Sequence, residues 1–424
     1  MDYKVASHML RFSRLAIGAF ATATCLLVAR PARAQVSCDT LPSPIIVAGP
    51  TDFEPLLQRF AVKIAAESPT ATIITPSISA LATSCAAIEG VVAGTKLDGL
   101  PGRYYTLSET MTITTKTCVF SGEQTPHVAI SSVFYETCSN VPQPRPADLA
   151  DVAGPVQATV FVVPKVNTTV QYLTYDEARA IYGCGVSSAL TVAGRYADPT
   201  IVSCRNPAAG SQVTLARNLG LSESVMIAPR CTSFINDASL LFPLISRGEE
   251  TSIPDDDFAP KPAAIGFVAA GEIDAYRAKI NPLAFQAPGQ TLAYYPDSSP
   301  TAVDRRNVRD GHYPIWGYVH MIAKTAGGNL SPQAAELIGW INGTKASPNI
   351  DAVVLEATAG YIPQCAMKVK RSSDGGLLRP SSPAQPCHCG FEAFISRTTP
   401  AGCTPCASNG ACPCGSTCRH GFCE

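Results

Sequence analysis

Ser203-Cys-Arg-Asn-Pro-Ala-Ala-Gly-Ser-Gln-Val-Thr-Leu-Ala-Arg-Asn-Leu-Gly220 reads as a loop of small residues that opens into a short helix. Gly210 lets the backbone turn tightly where a side chain would clash. Val213, Ala216 and Leu219 recur at helical spacing, and Gly220 falls where a C-terminal cap belongs. The first N–H groups of such a helix lack internal partners and carry partial positive charge. Arg205 and Ser211 beside them make an anion site. The plainer reading is a hydroxyl-capped helix that binds nothing.

Working outward, the same grammar recurs. Pro44 to Ala48 is an apolar strand, Gly49-Pro-Thr-Asp52 a turn, and Phe53 to Ala66 carries a helical stripe at 53, 56, 57, 60, 61 and 64. Ala71 to Thr75 is a second strand, and Ser84 caps a helix running to Val92. Thr51, and Thr83 or Ser84, thus stand at helix N-termini. His127 to Phe134 is a third strand, with Ser131 and Ser132 near its end. Val141 to Pro155 is proline-rich and reads as a boundary. Ala158 to Pro164 and Ala264 to Ala270 are buried strands, and Thr174-Tyr-Asp-Glu177 is a capping box whose helix closes near Gly183. Ser246 to Pro262 reads as an exposed, charged excursion. Tyr313 to Ile322 is a strand, Ser331-Pro332 starts a helix that stops at Gly343, and Ala366 to Lys370 is a last strand. Strand, hydroxyl-bearing loop, helix, repeated, predicts an α/β sheet whose loops gather at one edge.

Composition sets the compartment. Lys4, Arg11 and Arg14 precede an apolar run from Leu15 to Ala29, and Ala32-Arg33-Ala34 matches a signal-peptidase site. That run is too short to span a bilayer comfortably, and nothing later approaches a membrane span. With residues 1–34 removed the chain is mildly acidic, which disfavours nucleic acid or an anionic membrane as partner. Cys25 leaves with the leader, so sixteen cysteines remain, eight from Cys38 to Cys365 and eight from Cys387 to Cys423. An even count in an exported chain predicts disulfides, with the pairing open. Cys184 and Cys204 read as staples. Cys-x2-Cys and Cys-x-Cys beside His388 and His420 admit zinc as the lesser reading. His127, His312 and His320 read as core or turn histidines, and no nucleotide, metalloprotease or esterase motif is present. No catalytic residue, metal or cofactor is expected.

These segments, in this order, resemble the phosphate-binding receptors of bacterial phosphate importers, of the type 2 periplasmic binding protein group. The match runs from about Pro44 to Lys370. Gly49 to Leu57 resembles the first anion loop, Thr83 to Gly90 the second, and Val128 to Phe134 the strand end that carries the family's ligand aspartate. Phe161-Val-Val-Pro164 is similar to the crossover strand. Arg205 with Ala209-Gly210-Ser211 is similar to the Arg…Ser-Gly-Thr phosphate loop. Ala264 to Val268 and Gly311 to Ile315 resemble later landmarks.

The resemblance implies an α/β clamshell of two lobes with a small disulfide-rich C-terminal segment. Residues 35–157 and 313–371 would form lobe 1, and 158–312 lobe 2. A linker would cover 372–386, and a Cys-rich module 387–424. It also implies an inorganic oxyanion, phosphate or similar, held by Thr51, Thr83, Ser84, Ser132, Arg205, Gly210 and Ser211. An ABC importer would be the partner, or a cell-surface protein reached through the tail, in the periplasm or at the cell surface. Three departures stand out. Ser132 replaces the family's aspartate, Ala209 replaces its serine, and Asp52 stands where a small neutral residue is usual. An Asp there would cap its own helix and take N–H groups an anion needs. The alternative function is therefore an extracellular structural or interaction protein that keeps the fold without the ligand.

Overall fold

The computed structural model describes residues 36–67, 71–184, 202–205, 209–222, 226, 233–235, 265–345, 347–413 and 415–424. The expected leader and the excursion Ser246–Pro262 lie outside the described residues. The chain begins with β1 (Pro44–Ala48), α1 (Glu54–Glu67), β2 (Thr72–Pro76), α2 (Ser84–Ala93), β3 (Pro101–Leu107), β4 (Ile113–Val119) and β5 (Val128–Ser131). It continues with β6 (Leu149–Pro164), β7 (Tyr172–Thr174), α3 (Tyr175–Cys184), β8 (Ser203–Arg205), α4 (Gly210–Asn218), β9 (Ser233–Ile235), β10 (Gly266–Ala269) and α5 (Ala270–Tyr276). After β11 (Ile280–Pro282), β12 (Ala284–Gln286) and α6 (Arg306–Arg309) it returns through β13 (Trp316–Ala326), β14 (Asn329–Leu330), α7 (Pro332–Ile341) and α8 (Ala352–Thr358). The tail contains α9 (His388–Ser396).

One sheet runs through both halves in the order β10-β6-β13-β5-β1-β2-β3-β4. β1 lies parallel to β2 and β5, as strand–helix–strand units require. β6 joins the halves. Its residues from Leu149 to Ala158 pair with β13, and Thr159 to Val162 pair with β10. Its last eleven residues are all buried, which fits an unbroken apolar run with both faces covered.

The proline-rich boundary expected over Val141–Pro155 needs correcting, because its second part is strand. The register slips between Tyr318 and His320, leaving Gly154 and Pro155 opposite Val319 alone. Proline lacks the N–H a ladder needs and is tolerated at such a bulge. A side chain at Gly154 would press the Val319 carbonyl, with its Cβ 3.2 Å from that oxygen. The β3–β4 hairpin went unread in the sequence, although Ile113-Thr-Thr-Lys-Thr-Cys-Val119 is rich in β-branched residues. The capping box forms: Glu177 accepts from the Thr174 N–H at 2.8 Å, and the Thr174 hydroxyl from the Glu177 N–H at 3.2 Å. Gly220 takes a φ of 61° at the end of α4, and Ser331 caps α7 through the Ala334 N–H.

The tail is built into the body. Cys387 and Phe391 belong to the same apolar core as Phe161, Phe267 and Trp316. Arg309 lies over the Phe391 ring, pairs with Glu392 at 3.0 Å and donates to the Ala366 and His388 carbonyls. Disulfides join Cys365–Cys387, Cys389–Cys403, Cys406–Cys418 and Cys412–Cys423, while Cys38–Cys118 and Cys85–Cys138 staple the amino-terminal half. The zinc reading fails for Cys406, Cys412 and Cys423. Their sulfurs cluster because each is already in a disulfide.

Arg371 and the stretch after it, read as a linker over 372–386, also make specific contacts. Arg371 stacks on Trp316 and donates to the Trp316 and Pro314 carbonyls and to Asn218 at the end of α4. Asp374 accepts from the Phe134 N–H at 2.9 Å and the Thr137 hydroxyl at 2.7 Å, just past β5. A Cβ on Gly375 would lie 2.5 Å from the Arg217 carbonyl oxygen. The segment thus straps α4 to the end of β5.

Phe391→Ala tests whether the tail is structural. Removing a buried phenyl ring costs about 3–5 kcal/mol, so denaturant unfolding of the whole chain should shift by that amount. A shift near zero would mean that the tail is an independent module.

Candidate anion-binding site

α2, α4 and the end of β5 meet at one point. Thr83 is the residue before α2, Ser84 its first residue and Gly210 the first of α4. The Ser84 hydroxyl accepts from the Ser132 N–H at 3.0 Å. A Cβ placed on Gly210 would lie 2.5 Å from Ser84 Oγ, 2.6 Å from Ser132 Cβ and 3.0 Å from Ser132 Oγ. Only glycine permits that approach. The Ser132 carbonyl accepts from the Thr214 hydroxyl at 3.3 Å, so α4 is bonded to the β5 end as well. Two helix N-termini therefore face each other, each with unsatisfied N–H groups and partial positive charge.

Three polar atoms here are buried with no hydrogen-bond partner among the described residues: Thr83 Oγ1, Ser211 Oγ and Asp52 Oδ1. Native proteins rarely leave such groups unpaired, since each costs about 1–3 kcal/mol. Arg205 is buried, and its backbone N–H donates to the Gln212 side chain at 3.1 Å.

Asp52 stands one residue past Thr51, in the short turn that leads into α1. Burial raises its pKa, and the nearby Arg205 guanidinium and the Asp52 and Phe53 N–H groups pull it partly back. The Asp52 carbonyl accepts from Tyr361 at 2.8 Å, and Gln157 donates to the Tyr361 oxygen at 3.0 Å. Phe53 meets the Tyr361 ring edge-on. Burial pushes the Tyr361 phenol well above its ordinary range.

Of the residues expected from sequence, Ser84, Ser132 and Gly210 pack against one another, and Thr83 and Ser211 adjoin them in the chain. Arg205 enters from β8, and its charge acts on the Asp52 carboxyl. Thr51 is exposed and lines a hollow of ≈ 230 Å³ with Gly49, Ser77, Ser79 and Arg103, whose guanidinium pairs with Glu54 at 3.2 Å. Sequence reasoning missed Thr214, Gln157 and Tyr361. Gln157, a lone amide in an apolar strand, was the signal that could have been read. His127 proves to be a packing histidine, its Nδ1 accepting from the Ile46 N–H at 2.9 Å, with burial lowering its pKa.

The deciding comparison is with a Clostridium perfringens protein solved with bound phosphate and described as a substrate-binding protein of a phosphate ABC transporter. The two chains superpose with a TM-score of 0.50 at 14% identity, over 76% of this chain and 99% of that one. The fold is that of a two-lobed substrate-binding protein. An ABC-type phosphate transport receptor from Vibrio cholerae gives a TM-score of 0.48 at 17% identity, over 76% of this chain and 100% of that one. No protein-family model matches the sequence, and neither does any curated protein. The Gly210 contact is where the starts of α2 and α4 and the end of β5 meet.

Gly210→Ala probes that contact. Forcing a methyl group into it costs about 1–3 kcal/mol unless α4 moves away from α2 and β5. Small-angle scattering should show a larger radius of gyration than in the wild type, or melting should show the loss. A variant identical to the wild type in both would refute the direct contact.

Proposed function

We propose that the chain is an exported solute-binding protein that holds an inorganic oxyanion between its lobes, where α2 and α4 converge. The observation that carries this reading is the pair of unpartnered buried hydroxyls, Thr83 and Ser211, at two opposed helix N-termini beside Arg205. Hydroxyls, backbone N–H groups and one guanidinium are the donors that replace the hydration shell of an oxyanion. The Clostridium perfringens structure of the same fold contains phosphate, which makes phosphate the first ligand to test. Ser132 offers a hydroxyl and no charge, so nothing at that position repels sulfate. No helix among the described residues is long and apolar enough to cross a membrane.

A second reading, that of a fold kept without its ligand, is favoured by Asp52. Its carboxylate lies by Arg205 and by the N–H groups that begin the turn into α1. It competes with an anion for both.

Thermal unfolding of the oxidised chain, titrated with phosphate, sulfate and chloride at constant ionic strength, decides between the two. A ligand at a hundred times its dissociation constant adds about 2.7 kcal/mol of stability. A saturable shift with phosphate or sulfate supports the receptor, and no shift with any anion refutes it.

Asp52→Asn should tighten anion binding by about tenfold, equal to about 1.4 kcal/mol. The pH dependence has a fixed sign. Asp52 has a folded pKa raised above 3.8, so its charge costs nothing below that value and increasingly more as pH rises through the raised one. The stability gained by Asp52→Asn should therefore shrink as pH is lowered towards 3.8. A constant difference would mean that the carboxylate is not strained by burial.

The strap bears on how a ligand enters. Asp374→Ala leaves the Phe134 N–H and the Thr137 hydroxyl unpaired, which costs about 1–3 kcal/mol. If the lobes part to admit an anion, this variant should bind phosphate faster in stopped-flow measurements. Unchanged association would show that entry does not strain the strap.

A further inference from the structure

A second hollow, of ≈ 990 Å³, lies between α8 and the cysteine-rich tail, away from the lobe contact. Its described lining includes Asn342, Lys345, Asp351, Glu356, Gln364 and His420. Glu356, on α8, is only 4% exposed; its carbonyl accepts from the Ala359 and Tyr361 N–H groups, but its carboxylate makes no hydrogen bond or ion pair with any described residue. A carboxylate buried to this extent is expensive when no neighbouring cation offsets its lost hydration.

The surrounding charges are already engaged. Lys345 pairs with Glu336 and lies over the Trp340 ring at 4.9 Å. His420 bonds Asp351 at 3.1 Å, and Asp351 also caps α8 through the Val354 N–H at 3.2 Å. Arg419 donates to Gln385 at 2.9 Å. Glu356 is thus a buried acid that lines the hollow while every neighbouring cation is taken. Burial, and then Asp351, raise its pKa well above the ordinary carboxylate range.

We propose that this hollow binds an organic cation, an ammonium or guanidinium group carried on an extended chain, with Glu356 as its counter-ion. The volume sits at the upper end of small-molecule sites, about 300–1,000 Å³. The amides of Asn342, Gln364 and Gln385 provide neutral polar lining for such a chain. Because the tail forms one wall, this site belongs to this chain's own elaboration and not to its anion site. It stands whether or not the lobes bind an oxyanion.

The test is calorimetric titration of the full oxidised chain with three probes: spermidine, a Gly-Lys-Gly peptide, and the same peptide with norleucine for lysine. Saturable binding of either cation, at least tenfold weaker for the norleucine peptide, is expected. Spermidine alone would mark a free polyamine as the source of the cation, and the lysine peptide alone a peptide side chain. Glu356→Gln keeps the shape and removes the charge, so it should weaken binding at least tenfold while raising the melting temperature. Glu356→Asp should retain part of the affinity. No saturable binding by either cation, equal binding of the norleucine peptide, or undiminished binding by Glu356→Gln would each overturn the proposal.

Discussion

The pairing of β6 with β13 is the constraint on which the rest depends. These antiparallel strands carry the sheet from one half of the molecule to the other, and β6 changes partner from β13 to β10 within a single residue. Because the ladder is continuous, the loops after β1, β2 and β5 are held at fixed distance from the elements that β6 supports. The meeting of Ser84, Ser132 and Gly210 is the product of that geometry. Their local sequences place each at a helix start or strand end, and the shared sheet brings the ends together.

Where sequence patterns were local, they were legible. Pro44–Ala48 reads as a strand because four consecutive apolar residues are buried there, and the capping boxes and terminal glycines fix helix ends through bonds only a few residues apart. The long strand β6 was half hidden, since Pro155 looks like a breaker until the bulge opposite Val319 accommodates it. The strap was invisible for a different reason. Ser372-Ser-Asp-Gly-Gly376 has the composition of a linker, and the partners of Asp374 lie some 240 residues earlier in the chain. Long-range hydrogen bonds leave no periodicity to read. The candidate site was legible as a set of residue types, but not the packing of Ser84, Ser132 and Gly210 against one another, which depends on tertiary closure.

The site holds two opposed tendencies. Opposed helix N-termini and unpaired hydroxyls favour an anion, whereas the Asp52 carboxylate supplies a negative charge of its own. Burial resolves part of the conflict by favouring the protonated acid, which can donate a hydrogen bond where the carboxylate would repel. The same burial recurs at Glu356, where the neighbouring Lys345 and His420 are bonded to Glu336 and Asp351, and Arg419 to the Gln385 amide. One acid feels the charge of an arginine near the starts of two helices, and the other lines a hollow beside the cysteine-rich tail.

The place of β13 in the sheet bears on how the molecule is made. It lies between β5 and β6, yet it comes more than 150 residues after β6 in the chain. A polypeptide that emerges amino end first therefore exposes two facing strand edges, one on each side of a gap, from the completion of β6 until β13 follows. Phe391, still later, completes the core against β6. Such edges invite pairing with other chains. The nascent protein thus depends on being kept apart from its neighbours until β13 has appeared.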